Sequence, residues 1–424
     1  MVTQAQPAPP LPFDNPVFGP AAVEPAHPPG VLNEERTEVL QGKVLLSLAT
    51  GTRWELIRVI RECLYGAVVQ AARFTVVQGE CGPPYRQYDP QLVAVKVLLW
   101  DLLRQENQVD DPRREVAAMQ YLDSRGGHRN VMSLTEVISD GHAIYVIMPF
   151  FTGGELFGFV ASQPYPMSED ELTRTTAAPP APSRAAAAAA AAQARIIFRQ
   201  VANALAFLHR DGVRVVHRDV SLENCLLQGG AAAAAGDGGG GGGGGGAPHV
   251  VVMDFGMALR YPSGPRGTLM TPHYGGKEYY MSPEVVLRDP FSPEAIDVWA
   301  AGIILLMLLT GRPPPYKRAM VHQHWFAVIA VHHDLQQVLD LMGFNNISPA
   351  AVDLMQGCLK RNHEERYTTQ QICSHPWVVG DVGPRALPER RGGSRTARYR
   401  AAAPPRCERL RACLEAMGRA GAIE

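Results

Sequence analysis

The chain has 424 residues, 46% of them apolar, with 40 Lys and Arg against 41 Asp and Glu and a formal net charge of -1. That length holds one large domain or two ordinary ones with tails, and that apolar fraction supports a sizeable core. The balanced charge excludes a surface that binds nucleic acid throughout, since no broad basic excess exists to neutralise phosphates.

Residues 1–50 are rich in Pro and Ala and are expected to be mostly disordered. Their opening, MVTQAQPAPPLPFDNPVFGP, lacks a basic start followed by an apolar stretch, so no secretory signal is expected. Cys63, Cys81, Cys225, Cys358, Cys373, Cys407 and Cys413 are odd in number and form no CxxC pair. They predict reduced thiols in a cytoplasmic or nuclear protein, not a disulfide framework or a zinc site.

Next comes a strand-rich section, Trp54 to Phe150, with β-type runs GAVVQAARF, LVAVKVLL and AIYVIMPF and one helix-like stretch, DPRREVAAMQYL. A helix-rich section follows from Phe151 to Trp377, with QARIIFRQVANALAFLH and AIDVWAAGIILLMLLTG. Within it, Ala301 to Gly311 is the most apolar run and is too short to span a bilayer. A buried helix is expected there and no transmembrane segment. The predicted class is α+β, a small antiparallel β part with one helix, then a larger helical part, with a cleft between them.

Two low-complexity inserts lie near 175–193 and 229–248. The Ala run of the first suits the extension of a helix, whereas the Gly run of the second holds no single conformation. The final segment, 380–424, carries ten Arg against five acids over Asp381 to Glu424. It reads as a basic, mostly disordered tail able to meet an acidic partner. His322, His324, His332 and His333 lack an acid or Cys at ligand spacing, so a helix surface is expected, not a metal site.

Chemistry concentrates in VVHRDVSLENCLL. It sets Asp219 and Asn224 five residues apart between apolar flanks, a spacing that lets a carboxylate meet a hydroxyl proton while a carboxamide ligates a divalent ion. VVMDFGMAL follows with Asp254, a second oxygen ligand beside Gly256, and YYMSPEVV and IDVWAAG come later in order.

The ordered set VAVK, HRDxxxxN, DFG, SPE and DVW resembles the eukaryotic protein kinase family, of the serine/threonine and calcium/calmodulin-dependent-kinase-like type, over Trp54 to Val379. The resemblance implies a two-lobed catalytic domain over 54–379, with a small lobe at 54–149 and a large lobe at 150–379. It implies ATP and Mg²⁺ as cofactors and proteins as substrates, with the γ-phosphoryl group moved to serine or threonine. Lys96 matches the lysine that holds the α and β phosphates, and Glu115 its helix partner, with Glu106 as the rival position. Asp219 matches the residue that orients the substrate hydroxyl, and Asn224 and Asp254 the metal ligands. Met148 falls at the back of the adenine pocket, Phe150 and Phe151 in the hinge, and Ile60, Gly66, Val68, Ala94 and Leu226 around the nucleotide. Met119, Leu134, His217 and Phe255 fall on the apolar column of the active state. Glu284 and Arg366 match a structural ion pair, and Asp297 a tether of the catalytic loop.

Four features depart from the pattern or leave it open. The phosphate loop RECLYGAV has Arg61 and Cys63 in the first two glycine positions and keeps only Gly66. Ser221 replaces the usual catalytic-loop lysine, while Lys277 stands where a threonine is usual. The expectation is an exchange, with Lys277 supplying a catalytic cation near Asp219 and Ser221 as its hydrogen-bond partner. Arg218 suggests an activation segment ordered by a phosphate on Ser263, Thr268, Thr271 or Tyr274. Glu155 and Glu223 suggest a preference for basic peptides. Two functions follow: an active kinase, or a pseudokinase or scaffold whose eroded phosphate loop prevents turnover.

Overall fold

The computed structural model describes residues 10–24, 42–79, 83–104, 111–162, 184–229, 248–263, 270 and 275–380. The Gly-rich insert, the first insert up to residue 183 and the basic tail from 381 lie outside them.

Seven strands form a closed barrel: β1 (Gly19–Glu24), β2 (Val44–Ser47), β3 (Arg53–Cys63), β4 (Gly66–Val77), β5 (Tyr85–Leu99), β6 (Glu136–Ser139) and β7 (Ala143–Pro149). Their order is β1-β2-β3-β4-β5-β7-β6, with β6 returning to β1. Side chains alternate across the pleat, so Trp54 and Leu56, Val69 and Ala71, and Val95 and Val97 fill the interior. By the same alternation Ala94 and Lys96 face away from it.

The disordered reading of residues 1–50 is therefore corrected at two places. β1 and β2 pair with one another from Ala21↔Ser47 to Glu24↔Val44, and Leu45, Ala21 and Val23 join the barrel core. Pairing supplies the stability that a Pro- and Ala-rich segment lacks alone, and closure removes open sheet edges. The β part is also not wholly antiparallel, since Gly19↔Ile138 and Pro20↔Ser139 run parallel. Nor has it a single helix: α1 (Trp100–Leu103) precedes α2 (Pro112–Ser124), which starts at an Asp111 cap that accepts the Arg113 N–H.

The helical part begins with α3 (Leu156–Ala161) and the 26-residue α4 (Arg184–His209), whose start contains the Ala run. Two short strand pairs follow from β8 (Val215–Val216), β9 (Cys225–Gln228), β10 (His249–Val252) and β11 (Leu259–Arg260), with β9 on β10 and β8 on β11. Then come α5 (Pro283–Leu287), α6 (Pro293–Thr310), α7 (His324–Phe326), α8 (Leu335–Leu341), α9 (Pro349–Cys358), α10 (Thr369–Ser374) and α11 (Pro376–Val379). A continuous core of α4, α6, α8, α9 and α11 includes Phe198, Leu205, Trp299, Ile303, Leu354 and Trp377.

Helix α6 is the one described helix apolar and long enough to cross a membrane, and it is buried nearly all round inside this core. The described cysteines Cys63, Cys225, Cys358 and Cys373 are all free.

Candidate active site

Lys96 lies in β5 opposite Val68 of β4 and Val146 of β7, on the outer face of the barrel. Its Nζ meets the carboxylate of Glu115, in the first turn of α2, at 2.5 Å. Burial, the largest influence on this ammonium, pulls its pKa down, but Glu115 and then Asp254 more than offset that and leave it raised. Lys96 is thus held as a cation between two carboxylates from different parts of the chain. The rival Glu106 lies outside the described residues.

Asp219 and Asn224 are joined within their loop. Asn224 Nδ2 donates to the Asp219 carbonyl at 2.7 Å and to its Oδ2 at 2.8 Å, so the carboxamide oxygen is free of both bonds. Two strands bring Asp254 to this loop. β9 pairs with β10 up to Cys225↔Val252, and beyond that pair the Met253 N–H donates to the Asn224 carbonyl at 2.9 Å. Asp254 is the next residue, exposed and left-handed at φ 66°, its Oδ1 accepting from the Gly256 N–H. Asn224 and Asp254 therefore sit at the open end of one hairpin.

This donor set suits a hard ion. A carboxamide and a carboxylate oxygen match the oxygen preference of Mg²⁺, which typically takes only one or two protein ligands and completes its shell with water and phosphates. No group of three or more His, Cys, Asp or Glu able to hold a metal occurs among the described residues.

The loop is fixed from below. Asp297, buried in the first turns of α6, accepts the N–H of His217 at 2.8 Å and of Arg218 at 2.9 Å, and meets His209 Nε2 at 2.9 Å. His209 went unnoticed in the sequence because its partner is 88 residues away. Arg218 adopts φ 69°, and its Nη1 donates to the Met257 carbonyl at 3.0 Å. Burial lowers the Arg218 pKa to about 10, against the opposing pull of Asp297 and Asp219, so it stays charged at neutral pH. Of the residues it was expected to meet as phosphate acceptors, Thr268, Thr271 and Tyr274 lie outside the described residues, and Ser263 is exposed.

Lys277 reaches the same carboxylate. Its backbone N–H donates to Asp219 Oδ1 at 3.1 Å and its Nζ to Oδ2 at 2.7 Å. Gly276 permits this approach: it has φ 101°, and a Cβ there would lie 2.8 Å from the Arg218 carbonyl. Ser221 is not the partner of Lys277. It is fully buried, and its short side chain turns back to accept the Asn224 N–H at 3.3 Å, closing the loop from within.

Of the residues expected around the nucleotide, Val68 pairs with Lys96 and Ala94 lies two residues from it on β5. Ala94 pairs with Met148 across β5 and β7, the Phe150 N–H donates to the Leu92 carbonyl, and Leu226 is bridged to Glu155. Phe151 packs beside His249 and the helical core, and Ile60 is a solvent-exposed apolar residue near the end of β3. His217 and Phe255 lie 4.9 Å apart, with Met119, Leu134 and Phe255 in one core. Arg366 meets Glu284 through two bonds of 2.7 and 2.8 Å, both side chains buried.

The hairpin over the site is built differently. β3 and β4 join through a two-residue turn, Leu64–Tyr65, closed by Cys63↔Gly66. Gly66 has a packing reason of its own: a Cβ there would meet the Val97 carbonyl oxygen at 2.0 Å. Arg61, in the first glycine position, pairs with Glu155 at 3.1 Å, so this Glu155 already has a basic partner.

The protein kinase domain family matches residues 77–378, a span that begins at the last residue of β4, past the turn of this hairpin. Similar proteins include calcium-dependent protein kinase 32 of Arabidopsis thaliana, 30% identical over 71% of this chain and 47% of that protein. Calcium-dependent protein kinase 7 of Oryza sativa is 30% identical over 64% of this chain and 41% of its own length, and the serine/threonine-protein kinase PKZ1 of Phytophthora infestans 28% over 68% and 64%. The chain thus spans less than half the length of the calcium-dependent relatives it matches. With the family matched over more than half of its residues and the motifs in family order, the chain belongs to the protein kinase domain family.

Proposed function

We propose that this chain is an active, two-lobed protein serine/threonine kinase that transfers the γ-phosphoryl group of ATP to protein hydroxyls at the junction of barrel and helices. The observation that carries the reading is the continuity of the polar set. Glu115 holds Lys96, Lys96 feels Asp254, Asp254 adjoins Asn224 through Met253, and Asn224 and Lys277 both hold Asp219.

Magnesium-bound ATP, when present, supplies the phosphoryl group and part of the charge neutralisation. Lys96 would hold the α and β phosphates as a point charge, kept in place by Glu115. Asn224 and Asp254 would ligate the ion. Asp219, its carboxylate fixed by three donors, would orient the acceptor hydroxyl and take its proton. Lys277 would place an ammonium beside the transferred group, the service that a lysine at position 221 gives in most relatives, because stabilisation depends on where the charge sits. Ser221 serves the loop's shape. Protein substrates are the partners this chemistry implies, and the basic tail suits an acidic one.

A second reading has its own support. Arg61 and Cys63 replace glycines, and the family match starts beyond them, so a nucleotide-binding scaffold without turnover fits the hairpin better than it fits the loop below. Incubation with ATP and Mg²⁺, with the Lys96→Met variant as control, separates the two. Phosphate incorporation by the wild type and not by the control is expected. No incorporation by a folded wild type would leave the scaffold standing.

A further inference from the structure

Residues 10–24 do more than close the barrel. Before β1 begins, the segment 11–18 runs from β11, the strand that follows Asp254, Phe255 and Gly256, across the back of α2. Its outer end is tied by backbone: the Leu11 N–H donates to the Arg260 carbonyl at 2.9 Å. Arg260 Nη1 in turn donates to the Pro12 carbonyl at 2.8 Å, while its guanidinium lies 4.3 Å from the Tyr121 ring centroid. Phe13 meets the same Tyr121 ring edge-on at 5.7 Å. Toward the barrel, Val17 and Gln120 exchange two bonds, Val17 N–H to Oε1 at 2.9 Å and Nε2 to the Val17 carbonyl at 2.7 Å. Phe18 then packs against Trp100 and the small core that contains Val116.

The placement on α2 is specific. Gln120 and Tyr121 follow Glu115 by five and six residues, which at about 100° per residue puts them on the far side of the helix from the carboxylate that holds Lys96. Contacts there hold α2 by its far face and leave the Glu115 face turned to Lys96. Tyr121 also donates to the Val213 carbonyl at 2.9 Å, so the knot of Phe13, Tyr121 and Arg260 joins the barrel's helix to the helical part.

We infer that Leu11–Phe18 is a positioning strap that locks α2 to β11 and so keeps Glu115 on Lys96 as a built-in feature of this chain. Phe13 and Gln120 are its positioning residues. The strap's effect on turnover rests on the kinase reading, whereas its effect on α2 does not.

The test uses the full chain with Phe13→Ala, Gln120→Ala and the conservative Phe13→Tyr. Amide hydrogen exchange over α2 and β11 is measured beside α6 and α9, together with kcat and the KM for a peptide substrate. Loss of one aromatic contact or of the paired amide bonds should raise exchange in α2 and β11 about five- to tenfold, with α6 and α9 unchanged. The kcat should fall by a similar factor at constant peptide KM, and Phe13→Tyr should restore both. Unchanged exchange in α2 and β11, or a rise shared equally by α6 and α9, would overturn the strap. Should the wild type transfer no phosphate, the kinase reading fails and the exchange comparison still decides the strap.

Discussion

The two sides of the candidate site are built to different standards. Below, the loop from His217 to Asn224 is tied through named side-chain bonds: Asp297 takes two backbone N–H groups, Asn224 bonds Asp219 twice, and Lys277 bonds it twice more. Above, the β3–β4 hairpin is held by main-chain pairing, and the side chains of its loop, Arg61 and Leu64 among them, lie largely exposed. A catalytic charge must be placed to within a fraction of an ångström, whereas a covering hairpin contributes mainly through backbone amides. The contrast favours the lower loop as the place of the proposed chemistry and leaves the roof to act through its backbone.

The largest expected effect attacks the lower side directly. Asp219→Asn keeps the shape and removes the proton acceptor, so kcat in a peptide assay should fall about 1,000-fold or more. A drop under about tenfold would mean that the two sides share the chemistry. Next comes the support beneath. Glu284→Ala leaves Arg366 buried without its carboxylate and should cost about 3–5 kcal/mol in denaturant unfolding.

The same pair sets a pH dependence. Burial, the largest influence, raises the Glu284 pKa, but Arg366 overcomes it and the folded value lies below the ordinary 4.5. The stability it contributes is therefore full above pH 4.5 and is lost as pH falls through the lower folded value. Urea midpoints of wild type and Glu284→Gln should converge on that acid side.

Lys277→Met should lower kcat about 100-fold with folding intact, the scale of one transition-state charge, and wild-type turnover in that variant would remove its proposed role. The smallest effect belongs to the roof. Arg61→Gly with Cys63→Gly frees the backbone there to approach phosphates, a gain of about 1 kcal/mol for one new amide contact, so the ATP KM should fall about fivefold. An unchanged KM would show that the hairpin does not touch the nucleotide, sharpening the contrast further.

Much of the lower side was legible because its signals are local. Asp219 to Asn224 lies within one loop, and Asp254, Glu284 and Asp297 each sit in a short motif whose order identified the family. The Lys277 exchange was legible as a coincidence of two substitutions, but its geometry was only half right. Lys277 meets Asp219, while Ser221 binds Asn224 instead, because a buried hydroxyl on a short side chain satisfies the nearest backbone donor. Composition misled at the N-terminus. Pro and Ala in 1–50 read as disorder, yet Gly19 and Pro20 pair with strand residues 119 positions away, a partner no local window contains.

The amino-acid order by itself determined the family, the presence of the oxygen-bearing Asn224 and Asp254, the lysine on the strand and the loss of two glycines, since each depends on residue type at short spacing. Tertiary structure alone decided that β1 and β2 close a barrel, that Arg61 occupies Glu155, and that Leu11–Phe18 ties α2 to β11. Those contacts join segments far apart in the chain, and their free energy exists only once the core has brought the backbones within hydrogen-bonding distance.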